Sequence, residues 1–359
     1  MRMKRKLSQA ILAVSLSVFA WSCNQKDPDP KGNYIQGVFV MNEGNFQQNN
    51  GGVSFFKREG NTAEVEIFSA VNNSSLAGGV QGYAVTGDIG LILVDNDKPG
   101  LDKVQIVNSN TFETIATIGT PDIENPREVV ILNSNKAYVS CWGENGSYTY
   151  KNGYMAVVDL KTNKVTKKIS IGNGPDNLVL GNGKLFVGTT TFTTGKVLTA
   201  INTTTDEIVK TWTFAGTPVP FGMDADGKLW AKNGLDVVRI NPDSYAIEAT
   251  LKIAAPATKS ADNFVFSLDR RAILFGLSSN YGASGETYKF AITDTQINIA
   301  TPIIKRVFGG MAVDPQQGLI YAAVIPSYTQ SGYAVRYRTD GSVMDSVKVG
   351  IQPTGFFFR

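Results

Sequence analysis

The chain repeats itself, and the repeat decides what it can become. One unit reads PREVVILNSNKAYVSCWG…GYMAVVDLKTNKVTKKISIGNG, the next PDNLVLGNGKLFVGTTT…GKVLTAINTTTDEIVKTWTFAGT, and a third PFGMDADGKLWAKNG…LDVVRINPDSYAIEATLKI. Each holds four short stretches of alternating apolar and polar residues, separated by turns such as NSN, GNG, ADG, KTNK and NPDS. No stretch keeps helical periodicity for three turns. Four-stranded units at a period of about 45 residues predict an all-β fold, a β-propeller.

Counting the innermost strands gives the number of blades. GYAVTGD, REVVILN, DNLVLGN, PFGMDAD, NFVFSLD and GGMAVDP make six. The first unit starts at GVFVMNEG, which aligns with the second strand of a blade, and so lacks an innermost one. The terminal TGFFFR, preceded by GIQP where other units have GNGP or AGTP, supplies it. The expectation is a seven-bladed β-propeller of four-stranded blades over residues 36–359, closed by the C-terminal strand as the innermost strand of the first blade. Its 36 glycines and 14 prolines, spread evenly, suit many short strands and turns.

The first 22 residues read as a signal peptide. MRMKRK is cationic, and AILAVSLSVFA is apolar but too short to span a bilayer. AWSC then resembles a lipoprotein cleavage box, which implies that Cys23 becomes the acylated N-terminus. An ordinary secretory signal with an incidental cysteine is the alternative. Residues 23–35 would be a flexible tether, and its Lys-Asp-x-Asp is similar to acidic export signals of surface lipoproteins in some Gram-negative bacteria. Cys141 then has no disulfide partner and reads as a small core residue. The formal charge of +3 owes four positive charges to Arg2, Lys4, Arg5 and Lys6, so the remainder carries 3 − 4 = −1. Nucleic acid is an unsuitable partner for such a surface.

The cadence G-x-x-P…G-K-L-(F/W)-V…V-(V/I)-D-x-x-T-x-K-(V/I) resembles YncE-like seven-bladed propellers, and GVFVMNEGNFQQNNGGVSFF, Gly37 to Phe56, looks like the opening of their surface-lipoprotein branch. The resemblance implies a lipid-anchored, surface-exposed outer-membrane protein. It further implies capture of cobalamin or a ferric siderophore and transfer to a TonB-dependent transporter.

One face of the ring is expected to work. The connections between second and third strands are long: NEGNFQQNNGG, DNDKPGLDK, CWGENGSYTYKNG, TTFTTG, SSNYGASGET and IPSYTQSGY. The opposite turns are two to four residues. Loops longer than a turn requires usually carry function. These are rich in amides and hydroxyls and punctuated by aromatics, a mixture that suits binding surfaces. Trp142, Tyr148, Tyr150 and Phe192 are expected to hold the ligand, with Phe46, Tyr281 and Tyr328 closing the far side and Gln47, Asn49 and Asn145 meeting peripheral amides. Six acids (Glu43, Asp95, Asp97, Asp102, Glu144, Glu286) face five lysines (98, 103, 151, 196, 232), a sum near −1. That is a poor trap for a trianionic ferric catecholate, which should recruit arginine. It suits a large, roughly neutral, amide-bearing corrinoid.

Catalysis is not expected. The chain has no histidine, which removes Ser-His-Asp triads, histidine bases and nearly all zinc sites. No two carboxylates are paired as a glycosidase needs. DNDKPGLD, Asp95 to Asp102, faintly resembles a calcium loop but lacks EF-hand spacing, and turn formation explains it. No metal or cofactor is expected. The competing readings are a siderophore-binding lipoprotein and an adhesion or protein-interaction propeller.

Overall fold

Neighbouring residues of a strand face opposite ways, and the ring is built on that alternation. In the strand Lys136–Cys141, Ala137, Val139 and Cys141 join the hydrophobic cluster shared with the preceding blade, while Tyr138 joins the one shared with the following blade. The same partition runs round the molecule and yields seven clusters, one at each blade junction. The computed structural model describes residues 32–146, 149–150, 152–172, 174–189, 195–279 and 284–359. The expected signal peptide, Cys23 and most of the tether lie outside them.

The fold is a seven-bladed β-propeller. Blades 2, 3, 4, 5 and 7 are four-stranded antiparallel sheets in chain order from the axis outward. Blades 1 and 6 are three-stranded, and the fourth place is reduced to a single bridge, Phe55 to Glu64 and Thr287 to Ile304. The sequence explains both. After Phe56, KREGNTAEVE offers no apolar alternation, and the chain turns into the helix Ile67–Asn72, which sinks Ile67 and Phe68 into the junction between blades 1 and 2. After Ala291, Ile292 and Ile297 are buried singly rather than as a strand.

The C-terminal strand closes the ring. Pro353–Phe358 pairs with Val38–Asn42, from Val38 opposite Phe358 to Asn42 opposite Pro353. The three phenylalanines are half-buried and divide between two junctions. Phe357 packs on Phe39 (6.2 Å) and Tyr83 (5.2 Å). Phe356 and Phe358 take the other side, against Tyr321 at 5.8 and 5.0 Å. Arg359 then exchanges backbone hydrogen bonds with Gly37, and its Nη1 donates to the Ser109 carbonyl at 2.7 Å. A buried ion pair, Arg58 to Asp314 at 2.7 Å, locks blade 1 to blade 7.

Strand direction fixes the two faces. Inner strands start on the face that carries the long second-to-third-strand loops and end on the trimmed one. The chain enters on the trimmed face. Tyr34, expected in the tether, is buried there against Phe55 (5.1 Å) and Phe112 (5.5 Å), and its N–H donates to the Asn110 carbonyl. Among the described residues no helix is long and apolar enough to cross a membrane.

Five inner strands share an irregularity near their start. The ladder skips Gln81 in blade 2, Arg127 and Glu128 in blade 3, and Asp176 and Asn177 in blade 4. It also skips Phe221 in blade 5, and Asn263 with Phe264 in blade 6. Bulges of this kind re-aim side chains. All eight residues line the central channel.

Candidate functional site

The ornamented face holds a cavity of about 440 Å³ over blades 1, 2 and 3. Its first wall is the loop between Val38–Asn42 and Gly52–Phe56. Gly44, Gln47 and Asn49 take left-handed backbone conformations there, at φ 85°, 59° and 52°. Such residues are short or polar by necessity, since a branched side chain would be strained. Asn45 and Asn50 bind each other: the Asn45 N–H and the Asn50 Nδ2 each donate to the other's Oδ1 at 2.8 Å. Asn45 Nδ2 also donates to the Tyr328 carbonyl at 2.7 Å, which ties this loop to blade 7. Asn49 Nδ2 donates to Asp97, and the Asp97 N–H donates back to Asn49 Oδ1 at 3.1 Å, so the blade 1 and blade 2 loops clasp each other.

The floor is a set of carboxylates around one arginine. Glu43 accepts hydrogen bonds from Gln81 Nε2 (3.2 Å) and Gln352 Nε2 (2.9 Å). Asp95 pairs with Arg127 Nη1 at 2.8 Å. The Arg127 guanidinium lies 3.6 Å from the centre of the Trp142 ring, and Trp142 meets Tyr150 edge-on at 4.7 Å. An arginine stacked on tryptophan and held by a carboxylate is a fixed cation. Burial pushes the Asp95 carboxyl up to about 6; Asp102 and Glu43 add to that, and Arg127 opposes it. Asp102 is raised by burial too, although the N–H groups of Asn96 and Asn125 donate to its two oxygens at 2.8 and 2.9 Å.

Five of the sequence-predicted residues meet in this cavity: Phe46, Gln47, Asn49, Trp142 and Tyr150. Their roles differ. Phe46 is 74% exposed and stands on the rim, whereas Trp142 is 6% exposed and stiffens the floor from beneath Arg127. Tyr328 is 68% exposed and joins the site through its carbonyl rather than its ring. Asn145 lies in the two-residue strand Asn145–Gly146, paired with Tyr150. Tyr148, Phe192 and Tyr281 lie outside the described residues.

The residues that sequence reading missed are Gln81, Asn125, Arg127 and Gln352. They come from inner strands and the connections before them, not from the long loops. Of these only Arg127 carries a local signal, following the proline that opens its strand, and the ladder skips it. The charge also differs from the loop count. Lys232 belongs to the strand Leu229–Asn233 and pairs with Asp262, while Arg127 enters the balance. The lining holds Glu43, Asp95 and Asp97 against Arg127, so the cavity is mildly acidic. Among the described residues no three His, Cys, Asp or Glu side chains group to hold a metal, and the Asp95–Asp102 loop is occupied with hydrogen bonds to its own backbone.

Solved structures share the fold. A quinonprotein alcohol dehydrogenase-like protein of Bacteroides thetaiotaomicron superposes with a TM-score of 0.63 at 19% identity, covering 91% of this chain and 79% of that one. A candidate 6-phosphogluconolactonase of Bacteroides fragilis gives 0.62 at 11%, covering 93% and 100%. Another from Bacteroides uniformis gives 0.63 at 13%, covering 90% and 99%. At such identities the likeness is one of fold. No curated protein matches the sequence. A family model, the domain of unknown function DUF5074, matches residues 36–349, the propeller up to its closing strand. The chain belongs to the DUF5074 family.

Proposed function

We propose that this propeller is a non-catalytic capture protein for a large, amide-bearing ligand with flat apolar surface, best matched by a corrinoid such as cobalamin. In this reading the protein is a lipid-anchored surface lipoprotein of the outer membrane and passes its cargo to a TonB-dependent transporter. The observation that carries the ligand class is the lining of the ornamented cavity: exposed Phe46, side-chain amides, three carboxylates, and a single arginine already held by Asp95 and Trp142. Carboxylates and amide oxygens accept hydrogen bonds from a ligand's amide N–H groups, and the aromatics cover its apolar face. A ferric catecholate brings negative charge that this floor repels. The enzyme names of the structural neighbours come with identities too low to transfer chemistry.

Calorimetry with cyanocobalamin tests the reading. Binding is expected to change little between low salt and about 0.5 M salt, where exposed charges are screened. Phe46→Ala, which removes a rim side chain without disturbing the core, is expected to weaken binding by roughly 1–2 kcal/mol. No heat with cyanocobalamin, together with salt-sensitive binding of a ferric catecholate, would transfer the assignment to a siderophore. No binding of either favours a protein partner.

A further inference from the structure

Below the ornamented cavity the axis of the ring encloses a channel of about 780 Å³, and the two spaces share Glu43, Gln81, Arg127 and Trp142 as a common border. Every blade lines this channel with its inner strand. In blades 2 to 6 every residue that the ladder skips near the start of the inner strand lines the channel, beside ladder residues such as Gly82, Val129, Val179 and Pro220. The bulges therefore add Gln81, Arg127, Glu128, Asp176, Phe221 and Phe264 to the channel lining.

Its chemistry is uneven around the ring. Blades 3 and 4 contribute Glu128 and Asp176. Blades 5 and 6, next in order, contribute Phe221 and Phe264, whose rings stack at 4.7 Å and 22°. Carboxylates on one side and a flat aromatic wall on the other enclose the same space. Glu128 keeps its proton at pH 7, so Glu43, Asp176 and Asp262 face Arg127 and Lys232, a balance of 2 − 3 = −1. Both cations are committed elsewhere. Arg127 holds Asp95, and Lys232 holds Asp262 and donates to the Ala261 carbonyl at 2.8 Å. Glu128 receives one hydrogen bond, from the Leu178 N–H at 2.8 Å. Burial, with the Asp176 charge adding, pushes it up to about 8, so it is protonated at pH 7 and an incoming cation draws it into its ionised form.

We propose that the channel is a second binding site, selective for a cationic group on an apolar stem: an ammonium set against Glu128 and Asp176, with its stem on the Phe221–Phe264 wall. An anionic group meets Glu43, Asp176 and Asp262 and is rejected. The site does not depend on what the outer cavity binds, and a ligand seated there reaches it only through an arm of this chemistry.

Ligand-detected NMR with three probes of one shape tests the proposal: benzylamine, benzyl alcohol and benzoate, each with the full chain at pH 7. Benzylamine is expected to receive saturation from the protein, benzyl alcohol weakly, and benzoate not at all. Glu128→Gln combined with Asp176→Asn is expected to weaken benzylamine at least tenfold. Asn177→Trp, which places a bulky ring in the channel beside Asp176, is expected to weaken the signal. Circular dichroism and the melting point of each variant establish that it is folded. Equal signals from all three probes, an unchanged benzylamine signal in the double variant, or no signal from any probe (a channel holding only solvent) would each overturn it. Cyanocobalamin titrations of the same variants separate the two sites: a channel that fails this test leaves the outer cavity's binding as measured, and the converse also holds.

Discussion

Replacing Glu128 by glutamine should flatten the dependence of stability on pH. A glutamate in an unfolded chain titrates near 4.5, whereas in the channel burial raises it to about 8. Below pH 4.5 the side chain is protonated in both states and folding bears no penalty. As pH rises towards 8 the unfolded chain releases the proton and the folded one retains it, so stability falls. At about 1.4 kcal/mol per unit, the loss between pH 5 and pH 8 is about 3 kcal/mol at this one residue. Glutamine keeps the shape and still accepts the Leu178 N–H, but it has no proton to lose. Urea denaturation followed by tryptophan fluorescence at pH 5, 6, 7 and 8 reads both proteins. Asp95, raised to about 6, drifts the same way in each, so the difference between the two slopes reports Glu128 alone. The wild type should lose about 3 kcal/mol more than the variant over this range. Parallel curves would refute the desolvation of the half-buried Glu128 in the channel.

Deleting Thr354 to Arg359 should leave the ring open, because three half-buried phenylalanines at about 2 kcal/mol each approach a domain's whole stability; a truncated protein with an unchanged melting point would disprove the closure. Arg58→Ala should destabilise by about 3–5 kcal/mol in urea, since Asp314, with no exposed side-chain surface, is left as a buried charge without its partner. If Cys23 carries the anchor, Cys23→Ser should move the protein from the membrane fraction to the soluble one without changing its melting point, as several acyl chains are needed for stable anchoring; retention in the membrane fraction would place the anchor elsewhere.

The ring was legible in the sequence because it is written in short-range alternation and turn chemistry, which the chain repeats. The closing strand was legible for the same reason: Gln352, Pro353 and the three phenylalanines occupy the places their counterparts hold in other units. The loss of the fourth strand in blades 1 and 6 was not, since it reflects single isoleucines and a short helix filling a junction, a matter of packing rather than pattern. The cavity divided the same way. Phe46, Gln47, Asn49, Trp142 and Tyr150 stood out because their loops are longer than a turn needs. Arg127, Gln81 and Gln352 did not, because their direction is set by bulges and by one residue of left-handed backbone, Gln352 at φ 53°. Long-range neighbours such as Arg127 over Trp142 leave no trace in spacing.

The strand Val38–Asn42 follows directly on the point where the chain enters the trimmed face, and it is hydrogen-bonded on both sides, to Gly52–Phe56 and to Pro353–Phe358. A pull applied through the N-terminal segment therefore runs along this strand's axis. Two ladders resist it at once, and their bonds must yield together rather than one by one as in peeling an edge strand. Under the lipid-anchored reading proposed above, this strand is the one that bears the load. Tyr34 lies on the side opposite the cavity, so an anchor in the N-terminal segment would leave the cavity's mouth on the far side of the ring.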